Sequence, residues 1–282
     1  MNYGADDPTV SLVGPGRAGT TVALALMANG YRVVAVAGRA PDAASTMSTA
    51  AVCDAQARLV GDIGIGAKLV VIATPDHAIE SAALAAADAL EVDALVVHLS
   101  GAKNLDVFDG LVERRPDVRV ASIHPLQTLP SAREGLERLP GSFAAIDGDP
   151  EIEAIAIALE VRPLRVAPMD RVRYHAAAVV ASNHVVALLG QVQRLAASAG
   201  VPFDAFRSLV EASVGNAFEL GPNSALTGPV ARGDLKTVEA HLRALDPVER
   251  DAYRALAREA SRLVERRDGA LDRLLNDLKY LE

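Results

Sequence analysis

Cysteine is almost missing from this chain: Cys53 is the one thiol among 282 residues. A lone thiol forms no internal disulfide, so a disulfide scaffold and a cysteine-rich metal site are both excluded, and a cytoplasmic location is expected. Tryptophan is absent and aromatic residues make up only 4%, which leaves few flat side chains on which a protein stacks bases. Positive charge is also in deficit. With 28 Lys and Arg against 36 Asp and Glu the net charge is −8, whereas phosphate-backbone binding needs clustered cations in surplus, so no nucleic-acid partner is expected. By the same reading, no apolar run reaches the roughly 18 uncharged residues of a membrane helix. Met1–Pro8 carries two aspartates and no basic residue, unlike a signal peptide, and no membrane partner is expected.

What the chain does contain is ordinary globular material: 50% hydrophobic and 23% charged residues, with 21 Gly and 15 Pro in no repeat. That is enough apolar surface for about two domains. Up to residue 168, short β-branched runs alternate with Ala-rich helical stretches, the pattern of a parallel sheet covered by helices. The expected strands are Val10–Val13, Arg32–Val36, Leu69–Ala73, Ala94–Leu99, Arg119–Ser122, Phe143–Ile146 and Leu164–Ala167. Helices are expected at Ala18–Asn29, Asp76–Leu90, Asn104–Arg114 and Glu151–Leu159. From Met169 the strand signals stop, and helical periodicity runs through Asp170–Ala199, Asp204–Leu220, Leu235–Ala244 and Pro247–Arg267, followed by a short tail. The expected fold is α/β: an N-terminal Rossmann-type doubly wound parallel sheet (1–168) followed by a C-terminal all-helical domain (169–282), divided near Ala167-Pro168.

The strongest local motif is Gly14-Pro15-Gly16-Arg17-Ala18-Gly19, a Gly-x-Gly-x-x-Gly lying between an expected strand and an expected helix. There Gly14 permits a tight turn, Gly16 lets backbone approach a pyrophosphate and Gly19 lets helix and strand touch. The helix start adds free N–H groups and a positive dipole end. About 20 residues beyond the last glycine, an NAD-preferring site carries a carboxylate for the ribose hydroxyls. Here the second strand runs into Ala37-Gly38-Arg39. A guanidinium in that place pairs with a 2′-phosphate, so NADP is the expected cofactor, the plain alternative being a solvated turn arginine.

With Val13–Thr20, Ala37–Arg39, Ala73-Thr74-Pro75-Asp76 and Leu99-Ser100-Gly101-Ala102 read in order, the first half resembles the Rossmann domains of the 6-phosphogluconate-dehydrogenase-like superfamily. Pyrroline-carboxylate reductases, F420-dependent NADP reductases and ketopantoate reductases belong there. Ser122–Leu129, Tyr174-His175 through Ser182-Asn183-His184, and Leu226–Asp234 are similar to a narrower group, Rossmann-like proteins with a DUF2520 C-terminal domain. Reductases of the superfamily often place a lysine in the first long helix of the second domain, followed by asparagines at the fourth and eighth positions. The corresponding residues here are His175, Val179 and Asn183. Histidine replaces lysine and valine replaces the first asparagine, so either a histidine is the acid or catalysis is lost.

Ligands of open α/β sheets lie beyond the carboxyl ends of the strands, which singles out Thr74, Pro75 and Ser100. Thr74 and Pro75 are expected to border the cofactor, and the Ser100 loop to meet the nicotinamide or a substrate oxygen, or else to form a bare turn. Asp76 is expected to cap the following helix. His124 is expected just after a strand, fixed by Pro125, as a substrate-binding or packing residue. His77 is read as helix surface, and His98 as a strand histidine satisfied by a neighbour. In an unbroken α-helix His175 and Asn183 differ by about 80° and lie about 12 Å apart along the axis, which pairs them as catalytic candidates, while His184 points away. Arg232 is weighed as a bidentate anchor for a substrate carboxylate, and Asp234 as the cap of the helix at Leu235. The function expected from these readings is an NADP-dependent reductase of a small carboxylate-bearing carbonyl compound, ketopantoate foremost, acting as a homodimer. An imine reductase similar to pyrroline-carboxylate reductase, and a non-catalytic NADP(H) sensor, are the alternatives.

Overall fold

Thr9–Val13 (β1), Leu69–Ile72 (β4) and Leu95–His98 (β5) are buried at every position, as continuous β-branched runs are when helices cover both faces of a parallel sheet. The computed structural model describes residues 8–264 and 269–277. It adds Arg32–Ala37 (β2), Gln56–Ala57 (β3), Arg119–Pro125 (β6), Phe143–Gly148 (β7) and Arg162–Arg165 (β8) to complete an eight-stranded sheet ordered β3-β2-β1-β4-β5-β6-β7-β8. All neighbours run parallel except β6 and β7, which are antiparallel. The reversal between β1 and β4 leaves a crevice at the carboxyl ends of these strands, the usual ligand position in such sheets.

Helices Arg17–Ala28 (α1), Ala44–Val52 (α2), Ile79–Ala86 (α3), Asp109–Arg114 (α4), Ala132–Arg138 (α5) and Ile152–Ala158 (α6) flank the sheet. One face is packed by Leu12, Val36, Val97, Ile123 and Ile146 with Leu26 and Ile155. The other carries Val13, Ile72 and Val96 with Ile79, Phe108 and Leu111. Because side chains alternate along a strand, His98, Ser122 and Asp147, which are mutual register partners across β5, β6 and β7, share this second face with Val96 and Val120.

The chain divides into two compact units between Ser182 and Asn183. The first includes Arg171–Val179 (α7). Among the described residues the second is helical throughout, with Val185–Ser198 (α8), Arg207–Leu220 (α9), Pro222–Ala225 (α10), Pro229–Arg232 (α11), Leu235–Ala244 (α12), Pro247–Leu263 (α13) and Gly269–Asp277 (α14). Val238, Leu242, Ala257, Leu271 and Leu275 form its core, and Gln191 and Arg194 of α8 bind the backbone carbonyl and carboxylate of Glu249.

Several expectations need correction. The pair β6–β7 is antiparallel, so the sheet is mostly rather than wholly parallel. His124 lies inside β6, opposite Ala145, not after the strand: the antiparallel partner extends pairing through Pro125, whose missing N–H is tolerated because β5 pairs no further than Ser122 and leaves that side of the strand free. Asp76 caps no helix. A 3₁₀ turn, Asp76–Ala78, precedes α3, which starts without a side-chain cap. The long helix expected over Asp170–Ala199 is broken by a π-helical segment, Val180–His184, where Ser182 Oγ donates to the Ala178 carbonyl, so the spacing of an unbroken α-helix does not carry from His175 to Asn183. The tail contains α14, which supplies Leu271 and Leu275 to a core, while residues 265–267 of the expected Pro247–Arg267 helix lie outside the described residues. Finally, Pro168–Ser198 is long and apolar enough by composition to cross a membrane, with hydropathy 1.3 over its best window. No Asp, Glu, Lys or Arg stands between Tyr174 and Gln193, so the polar members there interrupt the apolar run without the charged residues that would disqualify it.

Candidate active site

At the mouth of the crevice, the first glycine holds a conformation that other residues rarely adopt. Gly14 has φ +94°, and a Cβ there would sit 2.7 Å from the Ala73 carbonyl. Its N–H donates to the Ala37 carbonyl at 2.8 Å, tying the turn to β2. A Cβ on Gly19 would lie 2.3 Å from the Gly14 oxygen, so only glycine lets α1 approach the turn this closely. Gly16, by contrast, opens onto empty space. It is the N-cap of α1 and brings no capping side chain, nor is there an acid in the first turn, so the helix start keeps its free amides and positive dipole end.

A groove of about 870 Å³ follows this turn, walled by Val13–Gly16, Gly38, Arg39, Ala44, Ser45, Thr74, Pro75 and His77 among others, and no carboxylate of the described residues lines it. Arg39 is exposed, and the neighbouring start of α2 has neither a side-chain cap nor an acid in its first turn. Thr74 Oγ1 is buried at the groove wall without a hydrogen-bond partner. A cradle without Cβ atoms, an uncapped helix start, an orphaned hydroxyl and an arginine in place of an acid are together a fit for a phosphorylated dinucleotide. Arg17 and Ala18 are exposed in the first turn of α1 and are not groove walls.

A second cluster forms where β5 and β6 end. A Cβ on Gly101 would meet His175 Cδ2 at 2.6 Å and His124 Nε2 and Cε1 at 2.8 Å. Glycine therefore leaves a niche walled by both imidazoles, whose centroids are 5.8 Å apart. His124 Nδ1 pairs with the Tyr174 hydroxyl at 2.9 Å. Burial, the neighbouring His175 and the Arg171 guanidinium push His124 down to about 4, against a smaller opposing effect of Asp76, so it is neutral at physiological pH. Burial raises the Tyr174 phenol and keeps its proton on. In the tautomer in which the Tyr174 hydroxyl donates to Nδ1, the proton of His124 resides on Nε2, the edge turned toward Gly101.

His98, fully buried, accepts the Ser100 N–H at Nδ1 over 3.1 Å, but its Nε2 has no well-formed hydrogen bond, so the expected satisfied histidine is satisfied at one nitrogen. Burial and Arg171 push it down to about 4. Ser100 is buried, and its hydroxyl oxygen accepts the N–H groups of Ala102 and Lys103, which makes it a shaper of the turn with only its hydroxyl proton left to offer. His77 lies exposed in the 3₁₀ turn and lines the groove. His124 and His175 are thus brought together within the first unit. Asn183 and Arg232 belong to the second, Asn183 exposed in the π-helical segment and Arg232 exposed at the end of α11. Asp234 caps α12 as expected, accepting from Thr237 N at 3.1 Å.

Sequence reasoning passed over three contributors. Tyr174 was readable only as the neighbour of His175. Arg171 resembles any basic residue of an amphipathic helix, and nothing in the sequence marks it as buried. The start of α2 was missed because Ala44-Ser45-Thr46-Met47 has neither a cap nor a clear apolar stripe.

Residues 6–125 match the Rossmann-like domain family, and residues 143–260 match DUF2520, a domain of unknown function. No curated protein matches the chain. Among solved structures it is similar to a candidate NADP oxidoreductase from Bacteroides fragilis, with 26% identity, 91% of this chain and 98% of that one covered, and a TM-score of 0.79. Protein TM1727 from Thermotoga maritima shares 24% identity over 96% of this chain and 98% of its own, with a TM-score of 0.63. A pyrroline-5-carboxylate reductase from Coxiella burnetii shares the fold at 17% identity, covering 97% and 98%, with a TM-score of 0.58. The two family matches thus give residues 6–125 as Rossmann-like and residues 143–260, from β7 onward, as DUF2520.

Proposed function

We propose that this chain is an NADP-dependent reductase of a small carboxylate-bearing carbonyl compound, with ketopantoate as the leading substrate. The observation that carries the reading is the niche at Gly101, where His124 and His175 meet at the ends of β5 and β6, on the same carboxyl edge of the parallel strands as the glycine-rich groove at β1, β2 and β4. Similarity to the Bacteroides fragilis protein, described as a candidate NADP oxidoreductase, supports the cofactor, as does a groove holding Arg39 and, among the described residues, no carboxylate. The backbone of Gly14–Gly19 would hold the pyrophosphate, with Thr74 and Pro75 beside it and Arg39 and the start of α2 at the 2′-phosphate. NADPH, when bound, supplies a hydride. His124, buttressed by Tyr174, presents an N–H that binds and polarises a carbonyl oxygen, and His175 gives the proton that turns the forming alkoxide into a hydroxyl. Asn183 and Arg232, the candidates for orienting the substrate and holding its carboxylate, belong to the second compact unit, and the niche at Gly101 is built without them.

The test is NADPH oxidation with ketopantoate, simple 2-oxo acids and pyrroline-carboxylate. Turnover on a 2-oxo acid that falls on the order of 10²-fold in His175→Ala is expected. Turnover on pyrroline-carboxylate alone would make it an imine reductase, and none on any compound would leave the NADP(H) sensor. For the cofactor, Arg39→Asp should invert a preference for NADPH over NADH of about tenfold or more, and equal affinities in the parent chain would defeat the assignment.

A homodimer and a cytoplasmic location belong to the same reading. Support for the dimer comes from α9, which has no buried residue, from Phe218 on it at 88% exposure, and from Val186 on α8 at 70%. Helical faces this apolar call for a cover, and a second copy supplies it.

A further inference from the structure

Arg171 is the largest fully buried side chain described, at 0% exposure. Its Nη2 donates to the Ser100 carbonyl at 2.9 Å, while Nε and Nη1 have no partner. Asp147, in register with Ser122 on the neighbouring strand, acts on it only through space, without an ion-pair contact. Burying a guanidinium with two nitrogens unmatched is costly, and an apolar side chain of similar size would give a more stable packing. The residue therefore serves something other than stability.

The helix geometry indicates what. Arg171, Tyr174 and His175 are separated by three and four residues, so they stand on one face of α7. The first turn of that face grips the Ser100 carbonyl, and the next turn brings His175 to Gly101 and Tyr174 to His124. We propose that Arg171 is a positioning residue for the reducing centre: it clamps the Ser100–Gly101 turn to α7 and so sets the contact between His124 and His175. This rests on the reductase reading above, in which those two histidines bind the oxygen and supply the proton. Its fixed charge also acts on His98 and His124, though burial is the larger cause of their low basicity.

The experiment observes the contact directly, with ring-to-ring nuclear Overhauser effects between His124 and His175 in the full chain labelled at histidine. Arg171→Met removes the clamp, and Arg171→Lys keeps a donor for the Ser100 carbonyl. Loss of the cross-peak in the methionine variant, its retention in the lysine variant, and a thermal midpoint unchanged or raised in both are expected. A cross-peak that persists in Arg171→Met, or disappears equally from both variants, overturns the proposal. So does loss of the cross-peak together with a lowered midpoint, because that marks a merely structural role. Should the methionine variant not fold, Arg171→Gln, uncharged and too short to reach, takes its place under the same criteria. The contact is measured without turnover, so a chain that reduces no substrate yet loses the contact in Arg171→Met defeats the reductase reading and leaves the positioning role standing.

Discussion

Gly101 concentrates the chemistry of this protein in a missing atom. A Cβ there would stand 2.6 Å from one catalytic candidate and 2.8 Å from the other, closer than real carbons approach, so Gly101→Ala must displace the imidazoles from the niche. Misplacing reacting groups by about 1 Å costs on the order of 10²-fold in rate. The expected result is a loss of that order in kcat/KM with nucleotide affinity retained, measured by NADPH oxidation and nucleotide fluorescence. The same residues carry a pH signature. His98 and His124 are held at about 4 in the folded chain against an ordinary 6.5. Between those values the unfolded chain binds protons that the folded one refuses, so stability falls as pH drops through this window and is indifferent to these groups above it. Urea midpoints should decline from about pH 6.5 to about pH 5, above the carboxylate range, with at most about 1.4 kcal/mol per pH unit from each histidine. A flat profile there would contradict the burial of neutral imidazoles, and His124→Gln should shallow the slope.

At the scale of elements, the clearest start signal that the sequence reading passed over belongs to α5. Ser131 accepts the Glu134 N–H at 3.2 Å, the cap bond that a Ser-x-x-Glu spacing announces, and its hydroxyl donates to the Glu134 carboxylate at 2.8 Å. The helix places Gly135 against Thr21 of α1, where a Cβ would come within 2.4 Å of Thr21 Oγ1. Ser131→Ala should therefore lower stability by about 1 kcal/mol without changing the site chemistry, read as a shift in the urea midpoint at constant slope. No shift would mean that α5 is held by its packing on α1 alone. Strands were legible wherever β-branched residues ran unbroken, as in β1, β4 and β5. The two-residue β3 was not, because Gln56-Ala57 carries no strand signal and pairs only through its neighbour β2.

For the whole molecule, the unpartnered apolar faces of α8 and α9 carry the remaining prediction. Sedimentation should give twice the chain mass, and Phe218→Asp, at a position 88% exposed, should shift it toward the monomer while leaving the core of α12, α13 and α14 intact. A monomeric parent chain would remove the homodimer from the proposed function. The π-helical interruption at Val180–His184 belongs to this scale too. It lies where the two compact units divide, and a periodicity argument that assumes a continuous α-helix carries no facing information across it.

Glycine spacing, apolar periodicity and the one arginine after β2 are local features, and local sterics and hydrogen-bonding rules turn them into a strand, a phosphate-accepting turn and a helix. That much the sequence determined by itself: the longer strands, most of the helices between them, the helical C-terminal region and the cofactor loop, while β3, α2 and α5 escaped it. The meeting of Gly101, His124, Tyr174 and His175 was decided only by tertiary structure, because it joins three segments distant in the chain. The direction of β7 likewise depends on which strand edge was free to pair, and the burial of Arg171 on which face α7 presents to the Ser100 turn. Such choices depend on packing across the sheet, where a basic residue and a buried clamp look alike until the facing strands are in place.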